Sequence, residues 1–484
     1  MLFNSFSYIV FLMIAMGGYW ALRGRFRMWL LLVASLIFYA MWRVEFVFLI
    51  TFSALVDWFF SLLIYRENEG RRKRLWLICS LSVNLGLLAW FKYTHFLLDN
   101  LGAAGALFGQ HWALDVGAIV LPLGISFYTF LSISYTLDVY RGFFVPERNF
   151  AVYLAYVTFW PHMIAGPILR AKELLPQLVE SHRFNADDLA EGIRKILFGL
   201  FLKVVLADEL ASYVDEGFLA APAQLSALDV WTLAFAFGLQ IYFDFGGYSL
   251  IAIGSAQLLG IRFPANFFWP YLAVSPKDFW QRWHITLSSW IRDYLYLPLC
   301  GVQVQDRSSG GLNVDATKPG SLRTSFALFA SWFLMGLWHG AAWRFAFWGL
   351  WHAAFVWIYR TISPRFLALP SAVRNIGGWI ITLPVIMLGW IPFRAASLSS
   401  AANLLGRVFD FRAYGHLSFQ ENFYVMTGSI FAAMLLAWLL RENVYPRLSW
   451  PPLRSVIDIA AVCVACFIVF LFLRPSTQFI YFQF

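Results

Sequence analysis

The chain has 484 residues, of which 60% are hydrophobic and only 13% are charged, and its mean hydropathy is +0.65. A soluble domain needs roughly a quarter of its residues charged, so this composition excludes an ordinary soluble protein. The net charge of +9 would suit nucleic acid, but the basic residues concentrate in short loops between apolar runs. That placement is typical of a membrane protein, and we expect no nucleic-acid partner.

Long apolar runs follow one another along the chain. Crossing the hydrocarbon takes about twenty mostly apolar residues, and only helices or closed barrels satisfy their backbone groups in lipid. The alternating pattern of barrel strands is missing. We therefore expect an all-α polytopic membrane protein with about ten to twelve spanning helices, in a single domain over residues 1–484. The clearest runs are 28–42, 44–65, 75–91, 117–135, 230–245, 324–338 and 456–473.

Two basic loops predict the orientation of the chain. Arg23, Arg25 and Arg27 follow the first apolar run, and a second basic cluster lies between Arg66 and Arg74. Because the two clusters are two spans apart, both can face the same side of the membrane. The positive-inside rule then places both loops in the cytoplasm and the N-terminus outside.

Two polar segments interrupt the apolar pattern without suggesting chemistry. Residues 169–209 carry many charges, yet apolar side chains from Ile193 to Phe201 recur at helical spacing. This pattern favours a helix lying in the membrane interface. Residues 301–323 are rich in Gly, Ser, Asp and Lys, and we expect an exposed and mobile loop there.

A third interruption, residues 277–294, combines charge with large aromatic side chains. If the segment is helical, Asp278 and Arg282 share a face, as do His284 and Ser288. One interpretation is an interfacial helix with tryptophans and extended charges at the lipid surface. The other is a helix that lines a wet cavity with His284 facing it, since ionisable groups at membrane depth are candidates for function. Its charged and histidine side chains are Lys277, Asp278, Arg282, His284, Arg292 and Asp293.

A histidine between two glycines is the second candidate site. His339 follows Trp338 in the apolar stretch 324–359 and lies between Gly336 and Gly340. Small neighbours leave room beside the imidazole for a backbone or a ligand. With an unperturbed pKa of roughly 6.5, imidazole can take a proton from a hydroxyl and return it to a leaving group. The alternative is a histidine that only hydrogen-bonds between helices.

Other sites receive weaker support from the sequence. His162 and His352 also lie in apolar surroundings, and we expect a structural or supporting role for each. The chain has no Gly-x-Ser-x-Gly elbow, His-Glu-x-x-His pair, Walker loop or dinucleotide fingerprint. We therefore expect neither a hydrolase serine nor a metal site.

Seven motifs taken together resemble the membrane-bound O-acyltransferase family. The resemblance is strongest to the branch that contains the integral-membrane alginate O-acetylation protein and the D-alanyl transferase of lipoteichoic acid. It runs nearly end to end, whereas any one motif alone would be weak. The motifs are residues 121–128, 133–142, 161–167, 242–249, 278–284, 337–340 and 479–484.

The resemblance implies a fold and a reaction. The family fold is a ring of helices around a thin central region with interfacial or re-entrant helices and a tunnel. His339 matches the family's catalytic histidine and His284 its second signature position. We expect supporting roles for Asp278, Arg282, Ser288, Arg292, Asp293 and Trp338.

The resemblance also implies substrates, partners and location. No bound cofactor is expected; an acyl thioester, either acetyl-CoA or an acyl carrier, would be the donor from the cytoplasm. The acyl group, most simply acetyl, would pass to extracytoplasmic acetyltransferase partners and then to a polysaccharide such as alginate or cellulose. The expected location is the bilayer of a bacterial inner membrane.

Two departures and several alternatives stay open. Leu250 stands where the family usually has a carboxylate after the Tyr242–Ser249 motif, and the 301–323 loop is longer than expected. The acceptor could instead be peptidoglycan or teichoic acid. A transporter or flippase would also place histidines along a substrate path without chemistry.

Overall fold

The computed structural model describes residues 3–110, 116–164, 166–302, 321–447 and 451–472. Those residues form helices joined by turns, with no strand among them, so the predicted all-α class is confirmed. Most of the 301–323 loop and the 479–484 motif lie outside the described residues. The helices are α1 (Phe6–Ala21), α2 (Arg25–Ala40), α3 (Glu45–Arg66), α4 (Arg71–Leu88), α5 (Thr94–Leu107), α6 (Ile125–Tyr140), α7 (Phe150–Thr158), α8 (Trp160–Met163), α9 (Ala171–Val179), α10 (Ala186–Leu200), α11 (Asp208–Leu219), α12 (Ala227–Gln257), α13 (Pro276–Arg282), α14 (Ile285–Ile291), α15 (Leu297–Cys300), α16 (Leu322–His339), α17 (Trp343–Leu367), α18 (Ser371–Arg394), α19 (Leu398–Phe409), α20 (Glu421–Leu439) and α21 (Pro451–Phe472).

Four described segments are long and apolar enough to cross a membrane. They are Glu45–Arg66, Arg71–Leu107, Ser371–Arg394 and Glu421–Arg447, and the shorter helices Phe6–Ala21 and Val456–Phe472 are also apolar. The fold is therefore polytopic. The larger number of spans expected from the apolar runs stays a prediction, as do the ring and the tunnel.

The predicted apolar run 117–135 becomes helical only at Ile125. Gly124 has a φ of 73°, in the left-handed region that favours glycine. A Cβ at this position would also overlap the carbonyl of Met163. Pro122 precedes it and disfavours helical geometry in the residue before it. The chain therefore turns at Pro122–Gly124 before α6 begins.

The chain divides into two compact units. The first comprises Met1–Ile193 and Ala252–Pro264, and the second comprises Arg194–Ile251 and Ala265–Phe484. In the first unit, α3, α4, α6 and α7 pack against one another; in the second, α17 packs against α13, α16 and α18. The single domain expected over residues 1–484 stays a prediction.

The charged segment 169–209 is helical over the predicted spacing, but it also contains a buried charge. Lys203, in the π-helical turn Phe201–Ala207, has a side chain only 3% exposed. Its Nζ lies 2.7 Å from Asp208 Oδ1 and 2.6 Å from Asp244 Oδ1. A buried ammonium needs such partners because desolvation of a lone charge is costly. Lys203 is therefore held inside the second unit between two carboxylates, and the interfacial helix stays a prediction.

Candidate active site

His339 is the last residue of α16, and its position depends on two close helix contacts. The turn Gly340–Ala342 reverses the chain so that α17 runs back along α16. A Cβ on Gly336 would overlap the carbonyl of Phe345, and a Cβ on Gly340 would overlap the Phe345 ring. The space that the sequence predicted beside His339 is therefore used by α17, and α16 and α17 lie in direct contact because these positions are glycines.

Aromatic rings surround the buried imidazole of His339. It is 5% exposed, and its ring centroid lies 4.9 Å from that of Trp338, 5.0 Å from Trp348 and 5.3 Å from Phe393. The helix carboxyl end carries partial negative charge, which favours a cation there. This position stabilises the imidazolium that forms when the side chain accepts a proton.

His352 shares an aromatic neighbour with His339. Its ring centroid is 5.0 Å from that of Trp348, so the same indole contacts both histidines edge-on. His352 is 1% exposed, and its Nε2 has no hydrogen-bond partner among the described residues. A Cβ at Gly389 would come within 3.1 Å of that nitrogen. The buried Nε2 of His352 therefore faces Gly389, which has no side chain.

His284 is held at a break between two short helices. The segment 277–294 is not one continuous helix: α13 ends at Arg282 and α14 begins at Ile285. His284 itself adopts φ 41° and ψ 54°, in the left-handed region. A non-glycine residue there costs of order 1–3 kcal/mol, and such strain concentrates at functional sites. The hydroxyl of Ser288 donates to the carbonyl of Trp283 at 3.1 Å, so it bonds the backbone at the break.

Asn266 fixes the side chain of His284. Asn266 Oδ1 accepts from the hydroxyl of Thr286 at 2.9 Å and lies 3.1 Å from His284 Nδ1, while its amide donates to the hydroxyl of Ser249 at 3.2 Å. Because an amide oxygen only accepts, Nδ1 must carry the proton in this contact. His284 Nε2 has no partner among the described residues and the side chain is wholly buried. A neutral imidazole in this tautomer presents its lone pair at Nε2.

A series of ring contacts connects the two predicted histidines. His284 lies edge-on to Phe245 at 4.6 Å between centroids and 6.3 Å from Phe267. From Phe267 the contacts continue through Trp283, Trp390 and Trp348 to His339, each 4.8–5.9 Å between centroids. Both histidines therefore belong to one aromatic core of the second unit.

The charged residues expected to support His284 form two ion pairs. Arg282 Nε lies 2.7 Å from Asp278 Oδ1, and Asp278 Oδ2 accepts from the backbone of Val274 at 3.0 Å. Arg292 Nε lies 2.7 Å from Asp293 Oδ1, on a π-helical turn with Asp293 buried. The first pair stabilises the start and end of α13, directly before His284.

His162 belongs to the first unit and has a structural environment. It lies on α8, buried, with Nε2 3.0 Å from the carbonyl of Tyr156 and its ring against Phe159 and Phe263. A backbone carbonyl accepts, so Nε2 donates there. These contacts favour the structural role that the sequence gave as one alternative.

The described residues contain no group of three or more His, Cys, Asp or Glu side chains that could hold a metal ion. Sequence reasoning missed Asn266, Trp348 and Phe393, which contact the two main histidines. The only available signal was the high aromatic content, 19% of the chain, which does not say which rings meet. Close to Leu250 on α12, Ser249 accepts from the amide of Asn266 and Asp244 pairs with Lys203.

Comparison with known proteins identifies a family for this chain. The model of the MBOAT, membrane-bound O-acyltransferase family matches residues 145–396, a range that includes all four histidines described above. The probable alginate O-acetylase AlgI of Azotobacter vinelandii is 37% identical over 91% of this chain and 84% of its own length. The peptidoglycan O-acetyltransferase of Helicobacter pylori is 34% identical over 84% of this chain and 79% of its own length.

A more distant relative is the teichoic acid D-alanyltransferase of Bacillus subtilis, 29% identical over 56% of this chain and 68% of its own length. The family match and the extent of these similarities agree with the helical fold and the membrane-crossing segments. The chain therefore belongs to the membrane-bound O-acyltransferase family and is an integral membrane O-acyltransferase.

Proposed function

We propose that the protein transfers an acetyl group from a cytoplasmic thioester, acetyl-CoA or an acyl carrier, for O-acetylation of an exported polysaccharide. The support is the similarity to probable alginate O-acetylases, which match 91% of the chain at 37–38% identity. Extracytoplasmic acetyltransferase partners would pass the group to an acceptor such as alginate or cellulose. A bacterial inner membrane would separate donor from acceptor.

The buried position of His339 is the observation that carries this proposal. The acceptor hydroxyl attacks the thioester carbonyl while His339 takes its proton; the carbon–sulfur bond then breaks and the thiolate receives that proton. The C-terminal end of α16 stabilises the intermediate imidazolium. The surrounding rings of Trp338, Trp348 and Phe393 exclude water, which would otherwise compete with the acceptor.

His284 could either orient the substrate or polarise the thioester carbonyl, and the geometry favours the first of these two expected roles. Polarising a thioester carbonyl requires a donor, but Nδ1–H is engaged by Asn266 and Nε2 presents a lone pair. Burial without a facing carboxylate in the described contacts favours the neutral form. We infer that His284 accepts a hydrogen bond from substrate and so orients it. A proton on Nε2 would restore the carbonyl-polarising role.

The decisive experiment supplies purified protein in proteoliposomes with an acetyl-labelled thioester. An acetyltransferase releases free thiol and forms labelled ester on an added hydroxyl acceptor or on the partner protein. A transporter moves label between compartments without thiol release. His339→Ala should reduce thiol release by roughly 10²–10⁴-fold; ester formation at the wild-type rate by a folded His339→Ala protein would refute the assignment.

A second acceptor class is favoured by a specific similarity. The peptidoglycan O-acetyltransferase of Helicobacter pylori covers nearly as much of the chain as the alginate relatives do. Parallel reactions with alginate, cellulose and peptidoglycan fragments, each with an added extracytoplasmic acetyltransferase, distinguish the two acceptor classes. Label on peptidoglycan alone would replace the exported-polysaccharide acceptor and leave the chemistry at His339 unchanged.

A further inference from the structure

A crevice in the second unit lies beside α13 but outside the histidine core. It encloses about 630 Å³. Its walls are formed by the 3₁₀ turn Pro270–Leu272, by α13, by α18 and by the end of α20. This size falls within the roughly 300–1,000 Å³ of typical ligand sites. The apolar part of its wall includes Leu272, Ile376, Trp379, Leu435 and Trp438.

The packing of α20 explains why the crevice is open. Its fully buried residues are Phe423, Thr427 and Met434. The residues after Met434 that line the crevice, Leu435, Trp438 and Leu439, are partly or well exposed. The last turns of α20 therefore present apolar side chains to a space that no described side chain fills. In a membrane protein such a space is accessible to lipid.

The lining of the crevice includes one positive and one negative side chain. Arg282 and Glu442 line it, together with the carboxamides of Asn375 and Asn443. Arg282 uses Nε to pair with Asp278 at 2.7 Å, and a guanidinium has four further N–H donors. The tryptophans Trp379 and Trp438 lie on the same wall, and tryptophan is enriched at the level of lipid headgroups.

We propose that this crevice binds a zwitterionic phospholipid whose headgroup ends in a primary ammonium, such as phosphatidylethanolamine. The phosphate would bind Arg282, the ammonium would donate to Glu442, and the acyl chains would lie along the apolar wall. A quaternary choline headgroup has no N–H to donate, and an anionic glycerol headgroup would bring negative charge without a cation for Glu442. This site needs only membrane residence and does not depend on the proposed acetyl transfer.

Lipid titration of the unaltered full-length protein in detergent tests the proposal. The apparent melting temperature is followed with phosphatidylethanolamine, its mono- and dimethyl derivatives, phosphatidylcholine and phosphatidylglycerol, all with the same chains. Phosphatidylethanolamine should bind roughly tenfold more tightly than phosphatidylcholine, the size of one charge-assisted hydrogen bond at a partly exposed site. Affinity should fall stepwise with methylation. Equal affinities, or tightest binding of phosphatidylglycerol, would overturn the proposal without any variant.

Two variants with matched controls locate the site. Glu442→Gln should remove the preference for phosphatidylethanolamine, while Glu421→Gln, the same change at the exposed start of α20, should keep it. Leu435→Trp should fill the crevice and weaken all the lipids, while Leu436→Trp, on the exposed neighbouring position, should not. A headgroup preference that survives Glu442→Gln, or binding that survives Leu435→Trp, would place the lipid elsewhere and refute this site.

Discussion

Asn266 and His284 form a contact that selects the chemical state of the histidine. Asn266 Oδ1 lies 3.1 Å from His284 Nδ1 and also accepts from the Thr286 hydroxyl. This oxygen can only accept, so the imidazole donates from Nδ1 and presents a lone pair at Nε2. The backbone N–H of Ile285 donates to the Asn266 carbonyl at 2.9 Å, which ties the same residue to the left-handed turn. One asparagine therefore sets both the tautomer and the position of His284.

Replacement of Asn266 should impair acyl transfer through His284. Asn266→Ala removes the acceptor at Nδ1 and lets the other tautomer form. The rate of acyl transfer should fall by roughly 10–10³-fold, a range that lies between the effect of losing one hydrogen bond and the effect of holding the wrong tautomer. Asn266→Asp should keep more activity. Its carboxylate stabilises the imidazolium, so the acid limb of the pH–rate profile should move to higher pH.

The measurement is the initial rate of thiol release at several pH values, with size-exclusion chromatography as a check on folding. Asn68→Ala, at an exposed position of the first unit, is the matched control and should leave the rate unchanged. A folded Asn266→Ala protein with a normal rate and pH profile would show that the contact does not position His284 for the reaction.

Loss of the imidazole at position 339 should have the largest effect on the chemical step. His339→Ala should reduce acyl transfer by roughly 10²–10⁴-fold, the contribution of a general base. His95→Ala, at an exposed position on α5, should stay at the wild-type rate. Thiol release assays on both purified variants check this. A His339→Ala rate within twofold of the control would assign the base to another residue, with His352 the next to replace.

Sequence patterns predicted the parts of this structure that depend on local periodicity. The apolar runs predicted helices, and Gly336 and Gly340 predicted a close approach beside His339, because a missing Cβ is a property of the residue itself. Asp278 and Arg282 also pair as their i, i+4 spacing indicated. In each of these cases the feature depends on residues within a few helical turns of one another, or on the identity of a single residue.

The structure around His284 could not be predicted in the same way. Asn266 is eighteen residues before His284 along the chain, and the two meet because the chain folds back between them. The left-handed conformation of His284 conflicts with the helical spacing of residues 277–294, since the bonds to Asn266 outweigh local propensity at this position. The contact of Trp348 with His339 likewise depends on how α16 and α17 pack, whereas its contact with His352 is an i, i+4 contact within α17.

The close contact of α16 with α17 should not tolerate a single added methyl group. At Gly336 a Cβ would overlap the Phe345 carbonyl, so Gly336→Ala should destabilise the fold by about 1–3 kcal/mol as overpacking. Gly377→Ala on α18 meets no atom within 4 Å, and should be neutral or stabilising by about 0.5–1 kcal/mol, because alanine favours helix. Melting temperatures in detergent compare the two. Equal melting temperatures would mean that α17 moves aside freely, and the position of His339 would then not depend on this contact.

Asp57 should stabilise the first unit without taking part in acyl transfer. It is wholly buried on α3, and its Oδ1 accepts from the Ser80 hydroxyl and the Asn84 amide at 2.6 Å each. Asp57→Ala leaves both buried donors without this acceptor and should cost about 2–4 kcal/mol. Asp57→Asn keeps an accepting oxygen and should cost less.

Thermal melting and thiol release, measured on the same preparations, separate stability from chemistry. Asp99→Ala, at an exposed site on α5, should melt within experimental error of the wild type because exposed substitutions change stability little. Asp57 lies outside the residues matched by the family model, so folded Asp57→Ala protein should transfer acyl groups at the wild-type rate. The opposite pattern, normal melting with lost transfer, would make this buried carboxyl part of the reaction path, because a purely structural acceptor cannot affect the rate without affecting the fold.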